Sequence, residues 1–131
     1  MSRDEFPSRR HVAAERRGRR SELLAALYLK LKFYRILERR LRTRLGEIDL
    51  VARSPSGIIC FIEVKARAMQ DLALEAVLPR QQARIARAAQ SFLASRPWLA
   101  SAPVRFDILT ISRRRWPRHI RGAWRPDDVG L

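Results

Sequence analysis

Residues 46–67 read GEIDLVARSPSGIICFIEVKAR, two apolar runs joined by Ser54-Pro55-Ser56-Gly57 and charged at the ends remote from that turn. Such a stretch folds best as an antiparallel hairpin. Pro55 suits the first central position of a type I turn, and Gly57 suits the left-handed residue that follows it. A three-residue loop pairs Ser54 with Ile58, which sets Val51 opposite Phe61, Leu50 opposite Ile62, Asp49 opposite Glu63 and Glu47 opposite Lys65. Side chains alternate along a strand, so Ile48, Leu50, Ile62 and Val64 then form one unbroken apolar face. A four-residue loop would place Asp49 beside Ile62 and mix polar with apolar on both faces. Patterning selects the first register.

That register sets two carboxylates across from each other with Cβ atoms about 4.5–5.5 Å apart, which destabilises a sheet. A shared proton, a nearby base or a bound cation must offset the repulsion. Oxygen ligands beside an apolar core suit a hard divalent cation such as Mg²⁺ (or Mn²⁺). The chain has 28 Lys plus Arg, of which only Lys30, Lys32 and Lys65 are lysine. A compact ammonium at position 65 therefore suits a task that Arg does less well, such as stabilising developing charge or holding an attacking water. A plain surface ladder with a Glu47–Lys65 ion pair is the bland alternative. It fits less well beside so apolar a strand.

Around the hairpin the pattern predicts one α/β domain. Residues 1–18 are Arg-rich and aperiodic and predict a flexible basic arm, with a single domain over 19–131. Residues 21–32 predict a helix capped by Ser21, with Leu24, Leu27, Tyr28 and Leu31 on one face and apolar residues on the other, hence buried all round. Residues 33–42 predict a strand ending in Arg39, Arg40, Arg42 and Arg44, and 68–78 a loop. Pro79 opens a helix to about Ala94, with Ile85, Ala88, Ala89, Phe92 and Leu93 inward and Arg80, Arg84 and Arg87 as a basic stripe. Val104–Ile111 is a strand, and 119–124 a short last one. The order is αβββαβ, a mixed sheet flanked by helices.

The net charge of +15 points to a polyanionic partner, nucleic acid before membrane. The lone cysteine, Cys60, excludes an internal disulfide and suits a reducing compartment, where it is a buried thiol. His11 and His119 lie in basic surroundings with no companion ligand, so neither reads as a zinc ligand. The apolar run at Leu23–Leu27 is too short and too charged at its flanks for a signal peptide or a membrane span. The expected location is the cytoplasm.

An Asp, a hairpin turn and then Glu-x-Lys resembles the PD-(D/E)xK nuclease superfamily, with its restriction-endonuclease-like αβββαβ core. More closely, GEIDLVA with FIEVKAR, together with YRIL, RTRLGEIDL and RFDILTI, resembles the YraN-like family of predicted bacterial endonucleases, related to Holliday-junction resolvases. The resemblance implies that Asp49, Glu63 and Glu22 bind the metal, with the carbonyl of Val64 as a further ligand, and that Lys65 assists the attacking water. Arg67 and Glu47 also fall on its motif positions. Arg42, Arg44, Arg67, Arg80, Arg84 and Arg87 are the candidates for holding a DNA backbone. The chain departs from that family at Ser21 and Phe33, where Gly is usual, at Arg40, where Asn is usual, and at Gln81, where Lys is usual.

The expected function is a Mg²⁺-dependent endonuclease acting on DNA, branched or damaged DNA included. The alternatives are a nucleic-acid-binding protein that keeps the fold without turnover, and a protein-interaction module, for which Trp98, Trp116 and Trp124 are candidate contacts. A homodimer stays open.

Overall fold

The computed structural model describes residues 9–67, 79–112 and 114–126, without the side chains of residues 9–18 and of Arg67. Helix α1 (Arg9–Leu31) precedes strands β1 (Arg35–Arg42), β2 (Glu47–Arg53) and β3 (Ile59–Arg67). Helix α2 (Pro79–Ala94), a 3-10 turn at Pro97–Leu99, and strands β4 (Val104–Ser112) and β5 (Arg118–Trp124) complete the order. The five strands make one sheet in sequence order. Strands β3 and β4 run parallel, and the other neighbours pair antiparallel. This is the mixed α/β sheet flanked by helices that the αβββαβ order predicts, with β5 added at the edge. The loop expected at 68–78 lies outside the described residues, as do residues 1–8.

Helix α1 starts at Arg9, well before Ser21. From Arg9 to Leu31 the chain has no proline and one glycine, Gly18, and it is rich in Arg, Ala, Glu and Leu. Good helix formers thus carry the backbone through a segment whose lack of apolar period suggested an arm. The orientation of α1 also differs from the all-round burial expected. Ala25, Ala26 and Leu29 are buried, whereas Leu23, Leu24, Leu27 and Leu31 are exposed. Small alanines let the helix approach the sheet closely, and the larger leucines are left outside.

The end of α1 is a Schellman motif. Tyr34 N–H donates to the Leu29 carbonyl at 2.9 Å and Phe33 N–H to the Lys30 carbonyl at 3.0 Å. Phe33 therefore takes a left-handed φ of 66°, and Arg40 within β1 takes 54°. Gly and Asn adopt such angles more readily than Phe or Arg.

Two apolar layers hold the sheet. On one face Ala25, Ala26, Leu29 and Tyr34 pack against Leu50, Ala52, Cys60, Ile62 and Leu109. On the other, Ile85, Ala88, Ala89 and Phe92 of α2 pack against Val51, Ile59, Phe61 and Phe106. The expected start of α2 at Pro79 and its inward face both hold, with Leu93 only partly buried. Trp124 closes this layer, its ring centroid 4.3 Å from that of Phe106, while Trp98 and Trp116 are exposed.

The hairpin has the predicted register. Leu50 pairs with Ile62, Val51 with Phe61, Ala52 with Cys60 and Arg53 with Ile59. Ser54 N–H donates to the Ile58 carbonyl at 2.8 Å, and Gly57 has a φ of 91°. One detail differs. Ile48 packs with Val51 and α2 rather than with Leu50, so strict alternation fails at the remote end of β2.

Candidate functional site

That failure of alternation lies where β2 and β3 part. Their pairing ends at Leu50–Ile62, while β3 continues beside β4 to Arg67–Ser112. In place of a strand-to-strand bond, Asp49 Oδ2 accepts the Val64 N–H at 2.8 Å. The carboxylate acts as the missing backbone partner.

Glu63 lies close enough that the two carboxyl groups perturb each other's protonation. Burial, and then the negative charge of Asp49, push Glu63 up to about 8, with Lys65 and Gln81 opposing. Asp49 is raised as well, mainly by burial and further by the charge of Glu22, against the pull of the Val64 N–H and Lys65. Gln81 Nε2, from the first turn of α2, donates to Glu63 Oε1 at 2.9 Å. Lys65 Nζ lies 3.8 Å from the same oxygen, and the two side chains are only 18% and 13% exposed. Asp49, Glu63 and Lys65 are thus brought together as the sequence predicts.

The remaining candidates are placed differently. Glu22 reaches toward the site from α1 but is ion-paired and hydrogen-bonded to Arg40 Nε. Glu47 is exposed with its carboxylate 3.8 Å from Arg42 Nε, and Lys65 lies by Glu63, so among the described residues the ion pair of the surface-ladder alternative is not formed. A cavity of about 200 Å³ beside Asp49 is lined by Arg19, Glu22, Arg40, Arg42, Glu47 and Ile48, among others. Among the described residues no three His, Cys, Asp or Glu side chains converge as a metal cluster. Arg42, Arg44, Arg80, Arg84 and Arg87 are exposed, and Arg67 ends β3.

The turn before β2 fixes the site's frame. Thr43 Oγ1 donates to the Gly46 carbonyl at 2.8 Å and accepts the Leu45 and Gly46 N–H groups at 3.1 Å. A Cβ at Gly46 would stand 2.7 Å from the Arg84 carbonyl oxygen, so only glycine lets α2 lie this close to the strand carrying Asp49.

The donor set fits a hard divalent cation. Two desolvated carboxyl groups offer oxygen ligands, and Mg²⁺ commonly takes one or two carboxylates with water and phosphate oxygens completing its shell. The third carboxylate implied by the resemblance, Glu22, is held by Arg40.

Sequence reasoning missed a second buried polar group. Asp107 is 1% exposed. It accepts from Arg105 Nε and Nη2 at 2.8 and 2.9 Å and from Gly122 N–H at 3.0 Å, and its Oδ2 lies 2.7 Å from His119 Nε2. Lys32 Nζ lies 3.4 Å from His119 Nδ1. An ammonium only donates, so the tautomer that serves both contacts carries its proton on Nε2. Burial alone would raise Asp107, but the bonds from His119, Arg105 and Gly122 outweigh it and hold the carboxyl below its usual range. The His119 side chain is therefore buried between a carboxylate and Lys32, in the basic surroundings the sequence suggests but with an acidic partner it did not. The signal available was the Asp set among the apolar residues of Val104–Ile111, two positions after Arg105.

Comparison with known proteins gives the family. The family model described as "Uncharacterised protein family UPF0102" matches residues 21–111. A UPF0102 protein of Paramagnetospirillum magneticum is 52% identical over 125 residues, covering 92% of this chain and 96% of its own. One of Parvibaculum lavamentivorans is 52% identical over 115 residues, covering 88% and 86%. One of Rhodopseudomonas palustris is 50% identical over 118 residues, covering 90% of each.

Proposed function

The chain belongs to the uncharacterised protein family UPF0102, and from that premise we propose that it is a metal-dependent nuclease of the PD-(D/E)xK type acting on DNA. The observation that carries this reading is the gathering of the desolvated Asp49 and Glu63 carboxyls, with Val64 N–H on Asp49 and Lys65 Nζ 3.8 Å from Glu63 Oε1. A structural pair would be cheaper as an Asp–Lys or an apolar pair, because two buried carboxylates oppose each other.

In this reading Asp49 and Glu63 hold a Mg²⁺ or Mn²⁺ ion, with the Val64 carbonyl as a further oxygen. When bound, the ion supplies charge neutralisation for a phosphodiester under attack by water and lowers the pKa of that water. Val64 N–H orients Asp49, and Gln81 orients Glu63. Lys65 Nζ lies beside Glu63, where it can hold water or stabilise a phosphate oxygen. The exposed arginines hold backbone phosphates without reading bases.

Incubation with linear, nicked and four-way-junction DNA in Mg²⁺ or Mn²⁺ tests the reading. Wild type should cut at least one substrate, and Asp49→Ala and Lys65→Ala should each lose about 10²-fold or more. DNA binding without cleavage of any substrate, in either metal, would sink it.

A second reading has its own support. Arg40 neutralises Glu22, and Gln81 brings a neutral amide rather than a cation to Glu63. Both favour a nucleic-acid-binding protein that keeps the nuclease fold without turnover. Arg40→Asn and Gln81→Lys, made together, distinguish the two: cleavage gained in that variant assigns the wild type to the binding class.

A further inference from the structure

Helix α1 has two apolar faces, and only one meets the sheet. Leu23, Leu24, Leu27 and Leu31 are 51 to 69% exposed, and Phe33, just past the helix, is 84% exposed. At 3.6 residues per turn the four leucines fall within an arc of about 100°. Together the five side chains leave roughly 550 Å² of apolar surface uncovered, near the upper limit for a typical monomer.

We propose that this face is the interface between two copies of the chain, packed as an antiparallel α1–α1 pair about a two-fold axis at Leu27. The area suffices for a small interface: complete burial of these side chains in two copies would cover at most roughly 1,100 Å², at the ~1,000 Å² that marks a specific interface. The spacing is self-complementary. Leu23 lies four residues before Leu27 and Leu31 four after, so the axis sets Leu23 of one copy against Leu31 of the other. Arg20 lies on the same arc and is exposed. The axis brings it to the exposed Phe33 ring of the second copy, where a guanidinium can cover an aromatic face.

Charge sets the interface's signature. Arg19, Arg20 and Lys30 are exposed on the rim, and every one is positive. Two copies therefore repel at the rim while their leucines attract, and the pair tightens as salt rises. An anionic lipid surface or an acidic protein on this face would loosen with salt instead. None of these leucines lines the carboxylate site, so the dimer and the nuclease reading stand or fall separately.

Sedimentation velocity on the full chain, from about 1 to 100 µM in about 0.1 and 0.5 M NaCl, reads the outcome. Mass should double with concentration and at lower concentration in the higher salt. Leu27→Glu should weaken association at least about tenfold with an unchanged far-UV spectrum. If that variant misfolds, the Leu24→Gln, Leu31→Gln double variant takes its place. Leu27→Cys should give a disulfide-linked dimer under mild oxidation and Gln90→Cys, exposed on α2, should not. The background is clean because the one native thiol, Cys60, is buried. A monomer throughout, a dimer indifferent to these leucines, or a Leu27→Cys variant that links no better than Gln90→Cys overturns the proposal. So does a monomer that binds phosphatidylglycerol–phosphatidylcholine vesicles through this face and is released by salt, which would give the face to a lipid surface.

Discussion

Glu63 holds its proton to about pH 8 because it is buried first and faces Asp49 second. A carboxyl whose folded pKa is raised binds a proton in the folded chain that the unfolded chain has already released. Stability therefore falls as pH rises from the ordinary carboxylate range through about 8. Glu63→Gln removes that cost while keeping an amide oxygen for Gln81 and an amide donor for Asp49. Its melting temperature should exceed that of wild type by a few degrees above pH 8, on the order of 1–2 kcal/mol, with no gain near pH 4. Thermal melts across that range check the sign. Protons and cations compete for the same oxygens, so Mn²⁺ affinity of the wild type should climb with pH and level off above about 8. Titration calorimetry at several pH values reads it, and Glu63→Gln should lose most of the heat. Residue-level signals for this pair were legible in the sequence because Pro55 and Gly57 fix the register that brings Asp49 to Glu63. The Val64 N–H bond to Asp49 was not legible. Strand pairing rules predict a ladder that continues, and nothing local says that a side chain will replace it.

Elements with strong punctuation were read nearly to the residue. Pro79 opens α2 and Pro97 follows its end, and the inward alanines of α2 recur at helical spacing. Helix α1 shows where such reading stops. Ala25, Ala26 and Leu29 form one apolar face and Leu23, Leu24, Leu27 and Leu31 another, and periodicity alone does not say which meets the sheet. Closeness of approach decides, and it depends on the sheet's own side chains. The Asp107 group was hidden for a related reason. Its partners come from β4, β5 and the end of α1, and only the assembled sheet gathers them. That group ties three elements together through one buried charge. Asp107→Asn keeps the shape, removes the charge facing Arg105, and should cost about 3 kcal/mol at neutral pH. Because the folded carboxyl is held below its usual range, its contribution is present above that range and fades as pH falls through the lowered value. Acid unfolding of Asp107→Asn should accordingly be shallower than that of wild type, as circular dichroism from pH 6 downward would record.

For the whole molecule the dominant quantity is a net charge of +15. Affinity for duplex DNA should fall about 10³-fold or more between 50 and 200 mM salt, the mark of counterion release. Replacing Arg80, Arg84 and Arg87 by Ala should lower the slope of log K against log salt by nearly 3, if all three touch phosphates. Fluorescence anisotropy with a labelled duplex measures both. No described helix is long and apolar enough to cross a membrane, and the charge is spread over helices and strand ends alike. The parallel pairing of β3 with β4, from Ile59–Val104 to Arg67–Ser112, has a consequence for the order in which the molecule is made. Asp49, Glu63, Lys65 and Gln81 have all been synthesised before Val104 is added. Yet the strand that carries Glu63 and Lys65 has no inner neighbour until β4 arrives, and pairing over so many intervening residues forms late. A ribosome-bound chain stopped short of β4 would hold every residue of the site and lack the strand that keeps two of them in place.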